Sequence, residues 1–267
     1  MRELERIAAD TSTDPPALAA GTLRIGIVGA GRVGAALARA LRAAGHEVDG
    51  PAGRAEIAGG EAILLCVPDG EIGSAAAAVA GSARFVGHTS GATPLTALGP
   101  ARAEAFGLHP LQTITHPEVE LRGSGCAVAG ETPAALALAG RLATELGMEP
   151  IDIADSDRAA YHAAASIASN FLVTLEAAAE TVAAGAGIDP GGARRLLGPL
   201  VRTTVENWLS AGPRAALTGP VTRGDERTVA AQREAVSETA PELLPLFDEL
   251  VERTRALARR PALEVVA

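Results

Sequence analysis

The chain has 267 residues, 48% hydrophobic but only 2% aromatic, so a sizeable core has to be built from Ala, Val, Leu and Ile. All 23 basic residues are arginine, which excludes lysine as a catalytic acid, Schiff base or phosphate-loop cation. A net charge of −9 with no arginine-rich run argues against a nucleic-acid partner. The N-terminal stretch MRELERIAAD has no apolar signal core, and no run is long enough to span a membrane. Cys66 and Cys126 sit in the apolar runs ILLCV and CAVAG and read as buried reduced thiols, so a cytoplasmic location is expected.

Residues 1–21 read as a loose leader. LRIGIVG is a predicted strand, and GAGRVGAALARALRAAG a helix with Val33, Leu37 and Leu41 on one face, stopped by Gly45. HEVDG is a short second strand. The continuous apolar run EAILLCV is expected of a strand buried on both faces of a parallel sheet. A helix over GEIGSAAAAVAG, strands over ARFVGHTS, AEAFGLHP and GCAVAG, the helix TPAALALAGRLATELG and the strand MEPIDI follow. This alternation predicts an α/β fold with a doubly wound, mostly parallel sheet over residues 22–154. From Asp155 onward the pattern is helical only. One long helix is expected from Asp155 to Gly187, and residues 155–267 read as an all-helical domain.

GIVGAGRVG carries Gly29, Gly31 and Gly34 in GxGxxG spacing between a predicted strand and a predicted helix. In that setting the first glycine serves a tight turn, the second lets a pyrophosphate approach the backbone, and the third lets the helix lie close. The loop Gly29-Ala30-Gly31-Arg32-Val33-Gly34 is therefore assigned to a dinucleotide. Asp49 has the sequence spacing of a ribose-binding acid, but it falls inside the short second strand. Arg54, nearer the strand end, and Arg32, in the loop, suit a 2′-phosphate, so NADP is expected rather than NAD. The stretch from Pro51 to Gly60 leaves little room for a crossover helix.

Ligands of this fold bind beyond the carboxyl ends of the strands. Val67-Pro68-Asp69, His88-Thr89-Ser90-Gly91 and His109-Pro110 occupy three such ends. Val67, Pro68 and Thr89 are assigned to the cofactor. His109 and Ser90 are candidates for the proton donor or polarising group that hydride transfer to C=O or C=N requires, and Ser90 is also a candidate for holding a carboxylate. His88 reads as structural. In the long helix, His162, Ser166 and Asn170 are spaced by four, drifting only about 40° per step, so they share a face. His162 and Asn170 are assigned to catalysis and Ser166 to substrate; interhelical packing is the alternative for this column. Tyr161, the sole tyrosine, reads as a donor or a packing residue. No metal site is expected.

Arg223-Gly224-Asp225 spells an adhesion tripeptide, which a cytoplasmic chain would not use. Asp225 instead suits the N-cap of a helix beginning at Glu226. Arg223 is then left for a substrate carboxylate, a cofactor phosphate, or an ion pair within the helical domain.

The glycine loop, LLCVPD, GHTSGA, FGLHPLQT, DRAAYHAAASIASNFLVTL and ALTGPVTRGDE, in this order, resemble bacterial Rossmann-like proteins with a C-terminal DUF2520 domain. The resemblance runs from about Leu23 to Leu257. It implies an NADP-dependent oxidoreductase whose helical domain is similar to that of 6-phosphogluconate dehydrogenase relatives. Related folds use a helix lysine as proton donor; this chain has none, so His162, His109 or a water must replace it. The reading is a homodimeric reductase, paired through the helical domain, of a small carboxylated keto or imino compound, with a ketopantoate-like 2-keto acid as first guess. The alternative is a non-catalytic nucleotide sensor or regulatory protein.

Overall fold

The computed structural model describes residues 21–53 and 59–259. The expected leader, apart from Gly21, and Arg54 lie outside the described residues. The chain divides into two compact units between Ser169 and Asn170, later than the change of period near Ala154.

The first unit holds strands β1 (Arg24–Val28), β2 (Glu47–Ala52), β3 (Ala62–Leu65), β4 (Phe85–His88), β5 (Glu104–Leu111), β6 (Gly125–Gly130) and β7 (Glu149–Asp152). Its helices are α1 (Arg32–Ala43), α2 (Ile72–Ala78), α3 (Pro133–Glu145) and α4 (Arg158–Ala168), with short 3-10 turns at Asp69–Glu71, Leu95–Ala101 and Asp155–Asp157. The strands form one sheet in the order β2-β1-β3-β4-β5-β6-β7. Neighbours pair in parallel except β5 and β6, which run antiparallel. No helix forms in the connection 112–124, so β6 returns beside β5 in the opposite sense.

Alternation along each strand sends side chains to two cores. Ile25, Ile27, Leu64, Phe106 and Leu108 pack under α1 and α3. Ile63, Leu65, Val86 and Ala105 face α2 and the 95–101 turn. Aromatic bulk is scarce, and one position shows how it is used. A Cβ at Gly87 would sit 2.5 Å from the Phe106 ring, so the bare glycine is what lets this ring lie flat against β4. The second strand is longer than the five residues HEVDG suggest: it continues through a cis Gly50–Pro51 peptide to Ala52. That places the carboxyl end of β2 at Ala52-Gly53.

The helix expected from Asp155 to Gly187 is not continuous. A 3-10 turn opens it, and Ser169 (φ −119°, ψ −69°) separates α4 from the next helix. The Arg158–Asp155 pair and the contact of Arg158 with β5 hold α4 to the sheet, which is why α4 stays with the first unit.

The second unit, among its described residues, is helical throughout: α5 (Asn170–Gly185), α6 (Pro190–Ala216), α7 (Pro220–Arg223), α8 (Glu226–Thr239) and α9 (Leu244–Arg259). Asp189 caps α6 by accepting from Gly192 N–H, with Pro190 at the first helical position. Gly212 (φ 76°, ψ 170°) kinks α6 ahead of Pro213. Asp225 caps α8 as expected, accepting from the Thr228 backbone N–H at 3.1 Å and from its hydroxyl at 2.7 Å. No helix among the described residues is long and apolar enough to cross a membrane.

Candidate functional site

The chain reverses direction across the sheet between β1 and β3, because β2 lies on one side of β1 and β3 on the other. A crevice opens at such a switch point. Here it is a cleft of about 970 Å³ lined by Gly29, Ala30, Gly31, Gly53, Cys66, Val67 and Pro68, with Ser74 and Ala75 of α2. The three loop glycines have three different surroundings. Gly29 has φ 108°, and a Cβ there would fall 2.3 Å from the Cys66 carbonyl oxygen. At Gly34 it would fall 1.9 Å from the Gly29 oxygen, so α1 touches its own loop. At Gly31 it would meet nothing within 4 Å. The turn and the helix packing thus use the first and third glycines, and the second leaves open space before the N-terminus of α1. Ala30 and Arg32 are exposed, and Val33 packs against the core. These features fit a dinucleotide pyrophosphate.

Asp49 does not face this cleft as a free acid. Its carboxylate accepts from Gly59 N–H at 3.0 Å and lies 3.7 Å from Arg24. The end of β2 at Ala52-Gly53 carries no carboxylate, and Arg54 follows it in sequence.

Cys66 is half-buried on the cleft wall and Cys126 is buried; both are free thiols. Burial pushes each up to about 12, in Cys66 against a smaller opposing effect of a Thr89 hydrogen bond. Burial therefore favours the protonated thiol in both, the opposite of what activates a cysteine nucleophile.

Beyond β4, the chain forms a tight loop around Ser90. The Ser90 hydroxyl gives its proton to Asp69, 2.9 Å away, and lies 2.9 Å from the Thr93 hydroxyl. Its oxygen also accepts from the N–H groups of Ala92 (3.2 Å) and Thr93 (2.9 Å). Ser90 is 8% exposed. Its hydroxyl is spent inside the loop, so Ser90 shapes the turn; it is not placed to hold a substrate or to move its proton. His88 is fully buried, with Nδ1 accepting from Ser90 N–H at 3.2 Å. Burial, with the Arg158 charge, lowers it to about 4, in keeping with a structural role.

His109 projects from the carboxyl-terminal part of β5 on the same face as Gly107. Its Nδ1 lies 2.8 Å from the Tyr161 hydroxyl, with the two rings edge to face at 89°. The His162 ring centroid is 6.2 Å away. Gly91 fits between these rings: a Cβ there would meet His109 Cε1 at 2.8 Å, His162 Cδ2 at 2.9 Å and His109 Nε2 at 3.0 Å. Burial first, then the His162 and Arg158 charges, lower His109 to about 4. His162 is exposed, and Ser166 is half-buried one turn further along α4.

Asn170 does not complete this column, because it opens α5 in the second unit after the break at Ser169. The column runs the other way. Arg158, His162 and Ser166 share the four-residue spacing, and Arg158 is the buried anchor. Its guanidinium donates to Asp155 at 2.6 Å and to the Ser90 carbonyl at 3.3 Å. Asp155 in turn accepts from Leu95 N–H at 2.8 Å. The sequence pattern gives Gly91 only a place at a strand end and Asp155 only the start of a helix, and it leaves Arg158 without a role. The spacing back from His162 was the available signal for Arg158. Arg223, in the second unit, is exposed and makes no ion pair among the described residues. Among the described residues no cluster of His, Cys, Asp or Glu is placed to hold a metal ion.

Residues 124–254 match the family described as a domain of unknown function, DUF2520, and residues 8–60 match a Rossmann-like domain. Two family models thus match successive stretches of this chain, a Rossmann-like one ahead of a DUF2520 one. No curated protein matches it. A Bacteroides fragilis protein provisionally named an NADP oxidoreductase superposes with a TM-score of 0.74 at 19% identity, covering 88% of this chain and 98% of that one. Pyrroline carboxylate reductase of Plasmodium falciparum, with NADP bound, gives 0.59 at 12% identity over 89% and 100% of the two chains. A reductive aminase of Aspergillus terreus, in complex with NADPH and ethyl levulinate, gives 0.60 at 17% identity over 89% and 98%. Identities this low establish the fold and leave the chemistry to the residues.

Proposed function

We propose that this DUF2520-type chain is an NADP-dependent reductase of a small carboxylated keto or imino compound, with a ketopantoate-like 2-keto acid as the first substrate to test. The observation that carries the reading is the His109 ring beside the bare Cα of Gly91, at strand ends that continue the row begun by the glycine loop. NADPH supplies the hydride when bound. The chain's own contribution is to orient it and to polarise the acceptor. Gly31 and the N-terminus of α1 take the pyrophosphate. Val67, Pro68 and Thr89 line the way toward β4. His109 offers a ring nitrogen to the carbonyl oxygen or imine nitrogen, and His162 links that place to solvent. NADP over NAD is supported by the strand end of β2, which lacks an acid, by the engagement of Asp49 elsewhere, by Arg54 just after that strand in sequence, and by Arg32 in the glycine loop.

We further propose that the helical unit pairs with a second copy. No residue of α5 is buried, and Phe171, Val173, Leu196, Leu200, Trp208 and Leu209 are exposed on α5 and α6. Apolar exposure on this scale marks an interaction surface. Light scattering gives the mass directly.

Fluorescence titration of NADPH and NADH into wild type and Arg54→Ala tests the cofactor. NADPH preference that falls by about 10-fold or more in Arg54→Ala supports the reading, since a charge-assisted contact contributes about 1.5–3 kcal/mol. Absence of binding by either nucleotide overturns it. Binding without turnover across keto and imino acids leaves the nucleotide-sensor alternative.

A further inference from the structure

We propose that Tyr161 is a positioning residue that fixes the tautomer of His109. Its hydroxyl donates to Nδ1, so the neutral ring carries its proton on Nε2 and presents an N–H donor beside Gly91. What that donor is for rests on the reductase reading above; the tautomer itself belongs to the free protein.

Two atoms 2.8 Å apart, the Tyr161 oxygen and His109 Nδ1, share one hydrogen bond. If Nδ1–H donated, the phenol proton of a half-buried tyrosine would need another acceptor, and its hydroxyl makes no other side-chain or backbone bond among the described residues. With the phenol as donor, the phenol proton and Nδ1 are both satisfied, and Nε2 keeps the ring's proton, free to be offered to a ligand. The surroundings favour a neutral ring. Arg158 and His162 on α4 and His88 on β4 disfavour a charged one, and Asp69 is the opposing carboxylate. Burial lowers His109 to about 4 and raises Tyr161 to about 12, so each holds its own proton across the neutral range. Nε2 lies beside the one residue of the loop without a side chain: a Cβ at Gly91 would lie 3.0 Å from it and 2.8 Å from Cε1. A neutral imidazole N–H so held polarises an oxygen or nitrogen without becoming an imidazolium first.

The molecule contains its own control. His88 Nδ1 accepts from the backbone N–H of Ser90, a donor that no side-chain substitution removes. Both histidines therefore share one tautomer for different reasons.

The test is long-range proton–nitrogen NMR of the full-length protein with nitrogen-15 histidine, its five histidines assigned by single His→Gln variants. The expected wild-type result, from pH 5.5 to 8.5, is a pyridine-type Nδ1 and a pyrrole-type Nε2 for His109, and the same for His88. In Tyr161→Phe, the His109 nitrogen shifts move toward each other as the second tautomer becomes populated, while those of His88 stay. A pyrrole-type Nδ1 in wild-type His109 overturns the proposal, and does so even if Tyr161→Phe does not fold. Unchanged His109 shifts in a folded Tyr161→Phe also overturn it. NADPH titration of the same samples separates the two readings: a protein that binds no NADPH sinks the reductase function and leaves the tautomer measurement standing.

Discussion

The Arg158 guanidinium lies against the bare Cα of Gly107, where a Cβ would sit 2.6 Å from Nη2. That approach lets one buried arginine reach Asp155 and the Ser90 carbonyl at once, fastening the start of α4 to the loop after β4. The Arg158 side chain is 4% exposed and that of Asp155 35%. Removing the carboxylate strands the more buried charge, which costs about 3–5 kcal/mol for a fully buried pair. Because Asp155 is partly solvated, Asp155→Ala should cost about 3 kcal/mol. Gly107→Ala should cost about 1–3 kcal/mol by overpacking the same place. Urea denaturation reads both. A loss under about 0.5 kcal/mol in Asp155→Ala, the range of an ordinary surface change, would mean that Arg158 is not the fastening.

Gly91→Ala tests the site without touching a functional group. The added methyl would fall 2.8–3.0 Å from His109 and His162, so the rings must move or the space before Nε2 must close. Misplacement of about 1 Å at reacting atoms can reduce turnover about 100-fold. The expectation is a loss of that order in kcat, with NADPH affinity unchanged within about threefold. A variant that binds NADPH poorly yet turns over normally would place Gly91 in the cofactor site instead.

The fold was open to reading because its signals are local. Alternation, apolar runs and the glycine spacing from Gly29 to Gly34 need only neighbours in sequence. The cap at Asp225 was legible for the same reason. The site was legible only in part. His109 and His162 stood out by residue type, but Tyr161 pairs with His109 across 52 positions, and no spacing predicts that contact. Ser90 is a candidate by its place at a strand end; its hydrogen bonds with Asp69, Thr93 and two backbone groups exist only once the loop closes. The break at Ser169 has no glycine or proline to announce it, so the column was extended to Asn170 instead of back to Arg158.

Arg223→Ala tests the proposal that the substrate carries a carboxylate. It is exposed at the end of α7, before Gly224 in the left-handed conformation (φ 70°). If it holds a substrate carboxylate, Arg223→Ala should raise KM for the acid by about 10- to 150-fold, the equivalent of about 1.5–3 kcal/mol for a charged hydrogen bond. The corresponding methyl ester should be converted equally by wild type and variant. An equal KM increase for acid and ester would assign Arg223 to folding of the helical unit, not to the carboxylate.

Acid should weaken the first unit in a defined window. His88 and His109 are both lowered in the fold from 6.5 to about 4, chiefly by burial. Between those values the unfolded chain binds protons that the native chain refuses, so stability is full above pH 6.5 and falls as pH drops toward 4. A shift of this size corresponds to about 3 kcal/mol for a fully buried ring, and less for the partly exposed His109. Below about pH 4 the native histidines protonate too, and their loss levels off. Among the lowered carboxylates, Glu104 belongs to the first unit and its contribution starts to fall near its usual 4.5, at the lower edge of this window, whereas Asp225 and Asp248 act beneath their usual 3.8. Urea midpoints at pH 7, 6, 5 and 4.5 measure the slope. His109→Gln should flatten it by the share of one histidine while leaving the remainder to His88. An unchanged slope in His109→Gln would show that His109 takes up its proton equally in both states, and that its ring is open to water in the native protein.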